Sequence, residues 1–142
     1  PVKVRISVKD FFSDLKRLNP EPYIHFQLTD ESLEWEADRA QMEQVFLNLL
    51  KNAREACATV NEPSIQVLAE SNGKERIFII QDNGEGILPD VLERIFIPFF
   101  TTKPSGSGIG LSLCKQIITL HGGSISATSE NGQGSCFRII FP

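Results

Sequence analysis

The sequence predicts an α/β (α+β) two-layer sandwich, in which a mixed, mostly antiparallel sheet of about five strands packs on three helices. Helical and strand-like patterns come in separate blocks along the chain, as they do in α+β domains. Two pairs of strand-like runs are each joined by a short loop that contains Asn and Gly, which is typical of antiparallel hairpins. The longest predicted helix carries its apolar residues on less than half of its surface and therefore has one face to bury.

The composition is that of an ordinary globular domain. With 142 residues, 41% of them hydrophobic, the chain is long enough to bury a core of its own. No apolar run approaches the roughly 20 residues that span a bilayer. The expected location is the cytoplasm, with any membrane attachment through other parts of a parent protein. A net charge of −4 disfavours nonspecific nucleic-acid binding. Cys57, Cys114 and Cys136 show no Cys-x-x-Cys spacing and are expected to be small core residues in a reducing compartment.

The N-terminal part of the chain contains one predicted helix and two predicted strands. Residues 11–18 carry apolar side chains at helical spacing and predict a short amphipathic helix that ends at Asn19. Residues 23–28 alternate polar and apolar side chains, which predicts a strand, and residues 33–35 predict another short strand.

The longest predicted helix follows Asp38, a residue type that commonly caps helix N-termini. Gln41 stands three residues later, which is the spacing of a capping box. The apolar stripe of this helix consists of Met42, Val45, Phe46, Leu49, Leu50, Ala53, Ala56 and Cys57. Asn48 and Asn52 fall just beyond one edge of the stripe, so we expect both side chains to face a cleft at the margin of the core.

A predicted hairpin and a long irregular segment follow this helix. Residues 64–70 and 76–81 predict the two strands of the hairpin, and the second strand ends directly at Asp82. The pattern then breaks up over residues 88–110, with a short acidic helix, the apolar run 96–100 and a Gly- and Ser-rich end. A long segment of this composition is typical of a mobile lid.

The C-terminal part predicts a helix and a closing hairpin. Residues 111–121 form the helix, with Gly122 as its C-terminal glycine. Residues 124–128 and 135–141 predict the two strands around an Asn-Gly-Gln-Gly loop.

The asparagines and the first glycine motif supply two parts of a nucleotide site. Mg²⁺ prefers six oxygen ligands, and the amide oxygen of Asn52 together with phosphate oxygens makes a suitable inner shell. The Asp82 carboxylate can accept from the exocyclic amine of adenine, while Gly84 and Gly86 let the backbone pass close to the base. The alternative interpretations are a solvated asparagine at a helix edge and an ordinary Asp-Asn-Gly hairpin turn.

The second glycine motif supplies the third part. Gly106, Gly108 and Gly110 precede a helix, and the unpaired N–H groups of a helix N-terminus bind phosphate. Lys103 precedes the motif and is placed to reach a terminal phosphate. A flexible loop and a solvated lysine are the alternatives, because a Gly-x-Gly-x-Gly motif by itself has little specificity.

Five short motifs stand in a fixed order in this chain. They are an asparagine box at 44–56, glycine boxes at 82–87, 106–111 and 132–137, and a phenylalanine box at 95–102 with Lys103. In this order and at these distances they resemble the catalytic ATP-binding domain of bacterial two-component sensor histidine kinases. The resemblance covers nearly all of residues 1–142. It implies one such domain with the Bergerat fold, which gyrase-, MutL- and chaperone-type ATPases share.

The resemblance implies ATP and Mg²⁺ as cofactors and assigns roles to single residues. By this likeness Asn52 binds Mg²⁺, Asp82 reads adenine, Asn48 contacts phosphate and Ser135 supports the water network around the adenine. Asn48 and Lys103 are the expected catalytic residues. The remaining nucleotide-binding residues are expected to be Gly84, Gly86, Ile87, Thr102, Gly106, Gly108, Ile109, Gly110 and Leu111.

Two positions on the asparagine helix bear on the chemistry. Related ATPases normally carry glutamate where this chain has Asn48, and a carboxylate can take a proton from water whereas an amide cannot. The chain is therefore expected to hold ATP and to hydrolyse it slowly. Glu55 stands where many family members carry a basic residue, and Arg54 precedes it. Both Lys103 and Arg54 thus stay candidates for contacting the phosphates.

The family's substrate is a histidine on a preceding helical dimerisation domain. His25 and His121 lack that context and are expected to be structural or solvated. The resemblance therefore implies a phosphoacceptor histidine domain, in cis or in trans, and the receiver domain of a response regulator as partners. No nucleic-acid partner is expected. The isolated domain, which begins abruptly at Pro1 and lacks the dimerisation segment, is expected to be a monomer.

Three other functions compete with a histidine kinase. A hydrolytic ATPase clamp of the gyrase type would release phosphate in multiple turnovers. A serine kinase of the anti-sigma type would form acid-stable phosphoserine. A nucleotide sensor would bind ATP without transferring a phosphoryl group.

Overall fold

The structure is a computed structural model that describes residues 1–102 and 108–142. In chain order its elements are β1 (Val4–Ser7), α1 (Val8–Leu18), β2 (Ile24–Leu28), β3 (Glu34–Ala37), α2 (Arg39–Ala56), β4 (Ile65–Ser71), β5 (Arg76–Asp82), α3 (Pro89–Leu92), α4 (Gly110–Leu120), β6 (Ser124–Glu130) and β7 (Gly134–Phe141). None of the helices in these two stretches is both long enough and apolar enough to cross a membrane.

Five strands form one sheet in the order β2-β4-β5-β7-β6. The β2–β4 pair is parallel, and the other neighbours are antiparallel. This confirms the mixed, mostly antiparallel sheet that the two hairpins predicted. The predicted helices correspond to α1, α2 and α4, and the short acidic helix corresponds to α3. Strand β1, which sequence analysis did not predict, pairs with β3 in a separate antiparallel ribbon.

The first helix begins earlier than the apolar spacing predicted. The Ser7 side chain caps α1 by accepting from the backbone N–H of Asp10 at 3.3 Å. Val8, in the first turn, is fully buried, and its N–H donates to the Leu33 carbonyl at 3.0 Å. The cap and this contact to the segment before β3 extend the helix beyond its apolar stripe.

Asp38 caps α2 as predicted, but the second half of the capping box is absent. The Asp38 Oδ1 atom accepts from the Gln41 N–H at 3.2 Å. The Asp38 N–H, which the Gln41 side chain would accept in a capping box, donates instead to Nε2 of His121 at 3.0 Å. The Nδ1 atom of this ring lies 2.8 Å from the Ile117 carbonyl, so the bonds fit a neutral ring protonated at Nδ1. His121 is therefore structural, as expected, and ties the end of α4 to the start of α2.

An aromatic cluster fixes α1 and α2 on the sheet. Phe78 of β5 packs against Phe46, Trp35 and Phe141 with ring-centroid distances of 5.3, 5.0 and 5.9 Å. Phe11 of α1 packs edge-on against Phe46 at 5.2 Å. Such pairs contribute roughly 0.5–1.5 kcal/mol each beyond area burial. The cluster fixes the rotation of α2 about its axis, and hence the direction in which the edge with the two asparagines faces.

The three cysteines are free thiols. Cys57 and Cys114 are buried, as expected of core residues, and Cys136 is half-buried on β7. Burial raises the pKa of the Cys114 thiol to about 12, so this group stays protonated at neutral pH.

Candidate nucleotide site

Asp82 occupies the last position of the central strand β5, where the sheet meets a sharp turn. Its register partner across the ladder is Ser135 of β7. The Asp82 Oδ1 atom accepts from the backbone N–H groups of Gly84 at 2.8 Å and Ser135 at 3.3 Å. Within the described parts of the chain, no hydrogen bond reaches the second carboxylate oxygen, Oδ2. Asp82 thus holds one oxygen in fixed geometry and leaves the other for a ligand.

Asp82 is only 6% exposed. Burial raises the pKa of this carboxyl group, and the hydrogen bonds from Gly84 and Ser135 offset part of that increase. A desolvated carboxylate with ordered donors on one oxygen is a common property of binding and catalytic sites.

The glycine loop after Asp82 passes too close to its neighbours to carry side chains. A Cβ atom on Gly84 would lie 2.5 Å from the Ala56 carbonyl oxygen at the end of α2. Gly86 has φ of +80°, and a Cβ there would lie 2.4 Å from the Glu130 carbonyl oxygen. Between the two glycines, the backbone N–H of Glu85 donates to the Ala56 carbonyl at 3.1 Å. The loop is therefore held between the end of α2 and the end of β6.

Ser129 belongs to this site although sequence analysis did not single it out. Its Oγ atom accepts from the Ile87 N–H at 2.7 Å and lies 3.1 Å from the Ser135 Oγ atom. Ser129 is also the register partner of Ser135, so Asp82, Ser135 and Ser129 form one row across β5, β7 and β6. The predicted closing hairpin missed it because its first strand ended at residue 128, whereas β6 extends to Glu130 and its register places Ser129 opposite Ser135.

Asn48 lies near the N-terminus of α4. It is half-buried in the middle of α2, and a Cβ atom on Gly110 would lie 3.6 Å from its Oδ1 atom. Gly110 is the first residue of α4, and Ile109 before it provides no side-chain cap. Among the residues that the structure describes, no side chain caps this helix, and N–H groups at a helix N-terminus favour an anion. Leu111 is half-buried and packs on the core.

A tight backbone contact joins Phe99 to Gly108, shortly before α4. The Phe99 N–H donates to the Gly108 carbonyl at 2.7 Å. Gly108 has φ of +75°, and a Cβ atom there would lie 2.4 Å from the Phe99 carbonyl carbon. Phe96 packs edge-on against Phe137 of β7 with 6.4 Å between ring centroids. These contacts hold the phenylalanine box against the sheet beside α4.

Asn52 stands one helical turn after Asn48 and is also half-buried. Both side chains therefore lie at the margin of the core, as the apolar stripe predicted. Arg54 lies two residues after Asn52, but its side chain contacts another part of the chain. Its Nη1 atom donates to the Asn19 Oδ1 atom at 2.5 Å, and its Nε atom lies 4.0 Å from the Glu21 carboxylate. Arg54 thus joins α2 to the α1–β2 connection rather than contacting the site.

The other predicted site residues fall at or beyond the end of the described segment. Thr102 is exposed at that end. Lys103 and Gly106 lie outside the described residues, so their predicted phosphate contacts stay predictions.

The donor set fits Mg²⁺ bound together with a nucleotide. Within residues 1–102 and 108–142, no group of three or more His, Cys, Asp or Glu side chains is placed to hold a metal ion. An asparagine oxygen is a neutral hard ligand, which suits Mg²⁺ only when phosphate oxygens and water complete the shell. Asn52 is the residue that would hold the ion, whose charge would neutralise the phosphates.

Comparison with known proteins defines the class of this domain. Residues 37–142 match the family described as histidine kinase-, DNA gyrase B- and HSP90-like ATPase. The chain belongs to this family, and its fold is the one that the motifs implied.

Within the family, the chain matches sensor histidine kinases. It is 44% identical over 108 residues to the sensor histidine kinase ZraS of Salmonella typhimurium, a match that covers 75% of this chain and 23% of ZraS. The catalytic domain of the histidine kinase ThkA superposes with a TM-score of 0.88 at 30% identity, covering 100% of this chain and 98% of that domain. The chain is therefore a histidine kinase catalytic domain.

The full-length relatives are much longer than this chain. The matches span 23% of ZraS and 31% of the histidine kinase/phosphatase NtrB of Rhizobium meliloti, to which the chain is 40% identical over 121 residues covering 75% of it. ThkA has also been solved in complex with the response regulator protein TrrA. There the match has a TM-score of 0.81 at 28% identity and covers 99% of this chain and 41% of ThkA.

Proposed function

We propose that residues 1–142 are the ATP-binding catalytic domain of a two-component sensor histidine kinase. The domain binds Mg-ATP and transfers the γ-phosphoryl group to a histidine of a separate phosphoacceptor domain. The observation that carries the proposal is the Asp82–Ser135 pair, a buried carboxylate with one oxygen left for a ligand. Helix α2 links the base end of the site to the end that holds the phosphates, because it contacts the glycine loop at Ala56 and α4 at Asn48.

At the base end, the Oδ2 atom of Asp82 accepts from the exocyclic amine of adenine. The backbone bonds on Oδ1 support this, since they orient the carboxylate before the ligand arrives. Guanine presents a carbonyl oxygen at the same ring position, and two acceptors facing each other in a desolvated pocket repel. The pocket therefore selects ATP over GTP.

At the phosphate end, Asn48, the N-terminus of α4 and Lys103 contact the phosphates, and Asn52 binds Mg²⁺. The proximity of Asn48 to Gly110 supports the joint role of α2 and α4. An amide at position 48 does not take a proton from water, so ATP is held with slow hydrolysis until the acceptor imidazole arrives. Phosphoryl transfer then depends on positioning and charge neutralisation more than on an acid or a base in this domain.

The acceptor histidine comes from another domain. His121 is 4% exposed and bonded to Asp38 and Ile117, so its ring is unsuited to attack a phosphate. His25 is exposed on β2, where it alternates with the buried Ile24 and so faces away from the core. Neither supports transfer within the chain.

The phosphoacceptor domain would contact the surface beside α4. Ile97, Phe99 and Ile109 are 51%, 78% and 44% exposed, respectively, and lie on the segment that leads into this helix. A domain that brings its histidine to the terminal phosphate would cover these apolar side chains. The product would then serve the receiver domain of a response regulator. We also propose that the domain works in the cytoplasm, where ATP is supplied, and that residues 1–142 alone are monomeric.

The test is phosphoryl transfer between purified parts. This chain, Mg-ATP labelled at the γ-position and a separate phosphoacceptor domain from a related kinase are mixed, and the labelled product is tested for acid stability. We expect an acid-labile phosphohistidine on the acceptor domain and no product with the Asp82→Asn variant. ATP binding with no transfer to any acceptor would overturn the kinase proposal in favour of a sensor, and acid-stable phosphoserine in favour of a serine kinase. Steady phosphate release by the chain alone would identify a hydrolytic ATPase.

A further inference from the structure

The Ser129 hydroxyl joins three segments that build the base end of the site. It lies on β6 and accepts at 2.7 Å from the N–H of Ile87, the last residue of the first glycine box. It donates to the Gly134 carbonyl at the start of β7 at 3.0 Å. It also lies 3.1 Å from the Ser135 hydroxyl. One small side chain therefore contacts the glycine box at 82–87, which contains Asp82, and the glycine box at 132–137, which contains Ser135.

Hydrogen-bond capacity links the direction of the contact between the two serines to the Gly134 contact, since by distance alone either hydroxyl could donate. A hydroxyl has one proton to donate and two lone pairs with which to accept. We assign the Ser129 proton to the Gly134 carbonyl, which can only accept, and one Ser129 lone pair to the Ile87 N–H. With this assignment a single lone pair of Ser129 remains, and the bond between the hydroxyls uses the proton of Ser135.

This direction determines what Ser135 presents to a ligand. Its proton is occupied by Ser129, and its backbone N–H is bonded to the Asp82 Oδ1 atom at 3.3 Å. The Ser135 oxygen therefore keeps only acceptor capacity. Because Asp82, Ser135 and Ser129 are register partners in one row, their side chains share one face of the sheet. The result is two acceptors side by side, the Asp82 carboxylate and the Ser135 oxygen.

We propose that Ser129 is a positioning residue that sets base specificity by keeping Ser135 an acceptor. Two neighbouring acceptors match a purine with an amino group at C6, reached directly or through water, and disfavour a carbonyl group there. The inference rests on the proposed function, since it concerns how the same pocket selects adenine. Ser129 acts through Ser135 and does not itself touch the base.

The test compares ATP with inosine triphosphate, in which a carbonyl replaces the amino group. Calorimetry gives the dissociation constants of both nucleotides for the parent chain and for Ser129→Ala, Ser129→Thr and Ser126→Ala. Ser126 is the matched control, because it is exposed on the same strand and faces the other side of the sheet. Thermal melting of each chain without nucleotide reports purely structural damage.

We expect Ser129→Ala to lower the preference for ATP over inosine triphosphate by roughly threefold to tenfold, the usual effect of one hydrogen bond. The freed Ser135 proton can then donate to the carbonyl of the inosine base. Ser129→Thr, which keeps the hydroxyl, should restore the parent ratio, and Ser126→Ala should leave it unchanged. A general loss of structure would weaken both nucleotides together and leave the ratio as it was.

An unchanged ratio in Ser129→Ala, in a parent chain that binds ATP, would overturn this inference alone. Failure of Ser129→Thr to restore a lowered ratio would also overturn it, because the hydroxyl would then not be the cause. A parent chain that binds neither nucleotide would overturn the proposed function itself. The two failures are therefore distinguishable in one experiment.

Discussion

The two ends of the proposed nucleotide site, one for the base and one for the phosphates, are built in different ways. At the base end, Asp82 is 6% exposed, and its Oδ1 atom accepts from two backbone N–H groups that lie on separate segments. At the phosphate end, Asn48 and Asn52 are half-buried on a helix margin beside the uncapped start of α4. The base end consists of strand ends and tight turns, whereas the phosphate end consists of helix edges.

The two ends are therefore expected to contribute differently to nucleotide binding. Strand register and close backbone contacts fix the acceptors of the base end without a ligand, and this preorganisation supports the selectivity that we propose for it. The phosphate end offers partial charges and neutral amides that gain their value from Mg²⁺ and phosphate. Changes at the base end should therefore alter which nucleotide binds, and changes at the phosphate end should alter how strongly its metal complex binds.

The largest effect is expected from Asp82→Asn. The amide oxygen can still accept from Gly84 and Ser135, which turns the NH₂ group toward the pocket, where it faces the amine of adenine. We expect ATP affinity to fall at least about 100-fold, as in sites where a donor meets a donor. Asp30→Asn is the matched control, because Asp30 accepts from the N–H two residues later at 2.9 Å, as Asp82 does at 2.8 Å, but is exposed. Parent-like binding of ATP to Asp82→Asn in calorimetry would refute the assignment of the adenine contact.

The close approach of the Gly134 backbone to Asp82 is tested by comparing Gly134→Ala with Gly132→Ala. Both residues have positive φ, +107° and +77°, in the same β6–β7 turn. A Cβ atom on Gly134 would lie 2.0 Å from the Asp82 carbonyl oxygen, whereas one on Gly132 would have nothing within 4 Å. We expect Gly134→Ala to lose more than about 1 kcal/mol of unfolding free energy beyond Gly132→Ala, and to weaken ATP binding about tenfold. Equal losses in chemical denaturation would mean that Asp82 does not depend on this contact.

The phosphate end is tested by Asn52→Ala. With Mg²⁺ present, we expect the affinity for ATP to fall about tenfold, because a metal ligand is lost. When a chelator removes Mg²⁺, the affinity for ATP should be the same as that of the parent chain. Gln44→Ala, at an exposed position of the same helix, controls for the change in helix propensity. If the loss is the same with and without Mg²⁺, Asn52 does not act through the ion.

The smallest effect is expected in the pH dependence of stability. Burial raises the pKa of Asp82 in the folded state above the usual value of about 3.9. Ionisation of Asp82 therefore lowers the free energy of unfolding. This loss is absent at pH well below 3.9 and is complete at pH above the raised pKa of the folded state. Asp82→Asn should gain stability over the parent as pH rises through this window.

Asp30 is expected to change the stability with pH in the opposite direction and serves as the comparison. The hydrogen bonds from Ser32 to its carboxylate lower the pKa of Asp30 in the folded state. Its contribution to stability is therefore present above about pH 3.9 and lost as pH falls through the lowered pKa. Asp30→Asn should thus lose stability relative to the parent as pH rises, and denaturant unfolding of both variants between pH 3 and 7 measures the two slopes. Slopes of the same sign would show that burial does not control Asp82.

Much of the fold followed from local patterns in the sequence. The stripe of α2, the Asp38 cap and both hairpins carry their information within a few residues, and the structure has each of them. Strand β1 was missed although Val2, Val4, Ile6 and Val8 alternate with polar residues, which is a local strand pattern. The Gln41 half of the capping box failed for a different reason, since His121 is distant in sequence and takes the Asp38 N–H.

Local sequence patterns were enough to predict the class of this domain, its helices and hairpins, and the residue types that a nucleotide site requires. Packing between distant segments, in contrast, turns Arg54 toward Asn19 and brings Ser129, Asp82 and Ser135 into one row. The two groups of features differ in the range of the interactions behind them. Periodicity, capping and turn chemistry act over one or two turns of chain, whereas strand register and side-chain direction depend on which distant segments pack together.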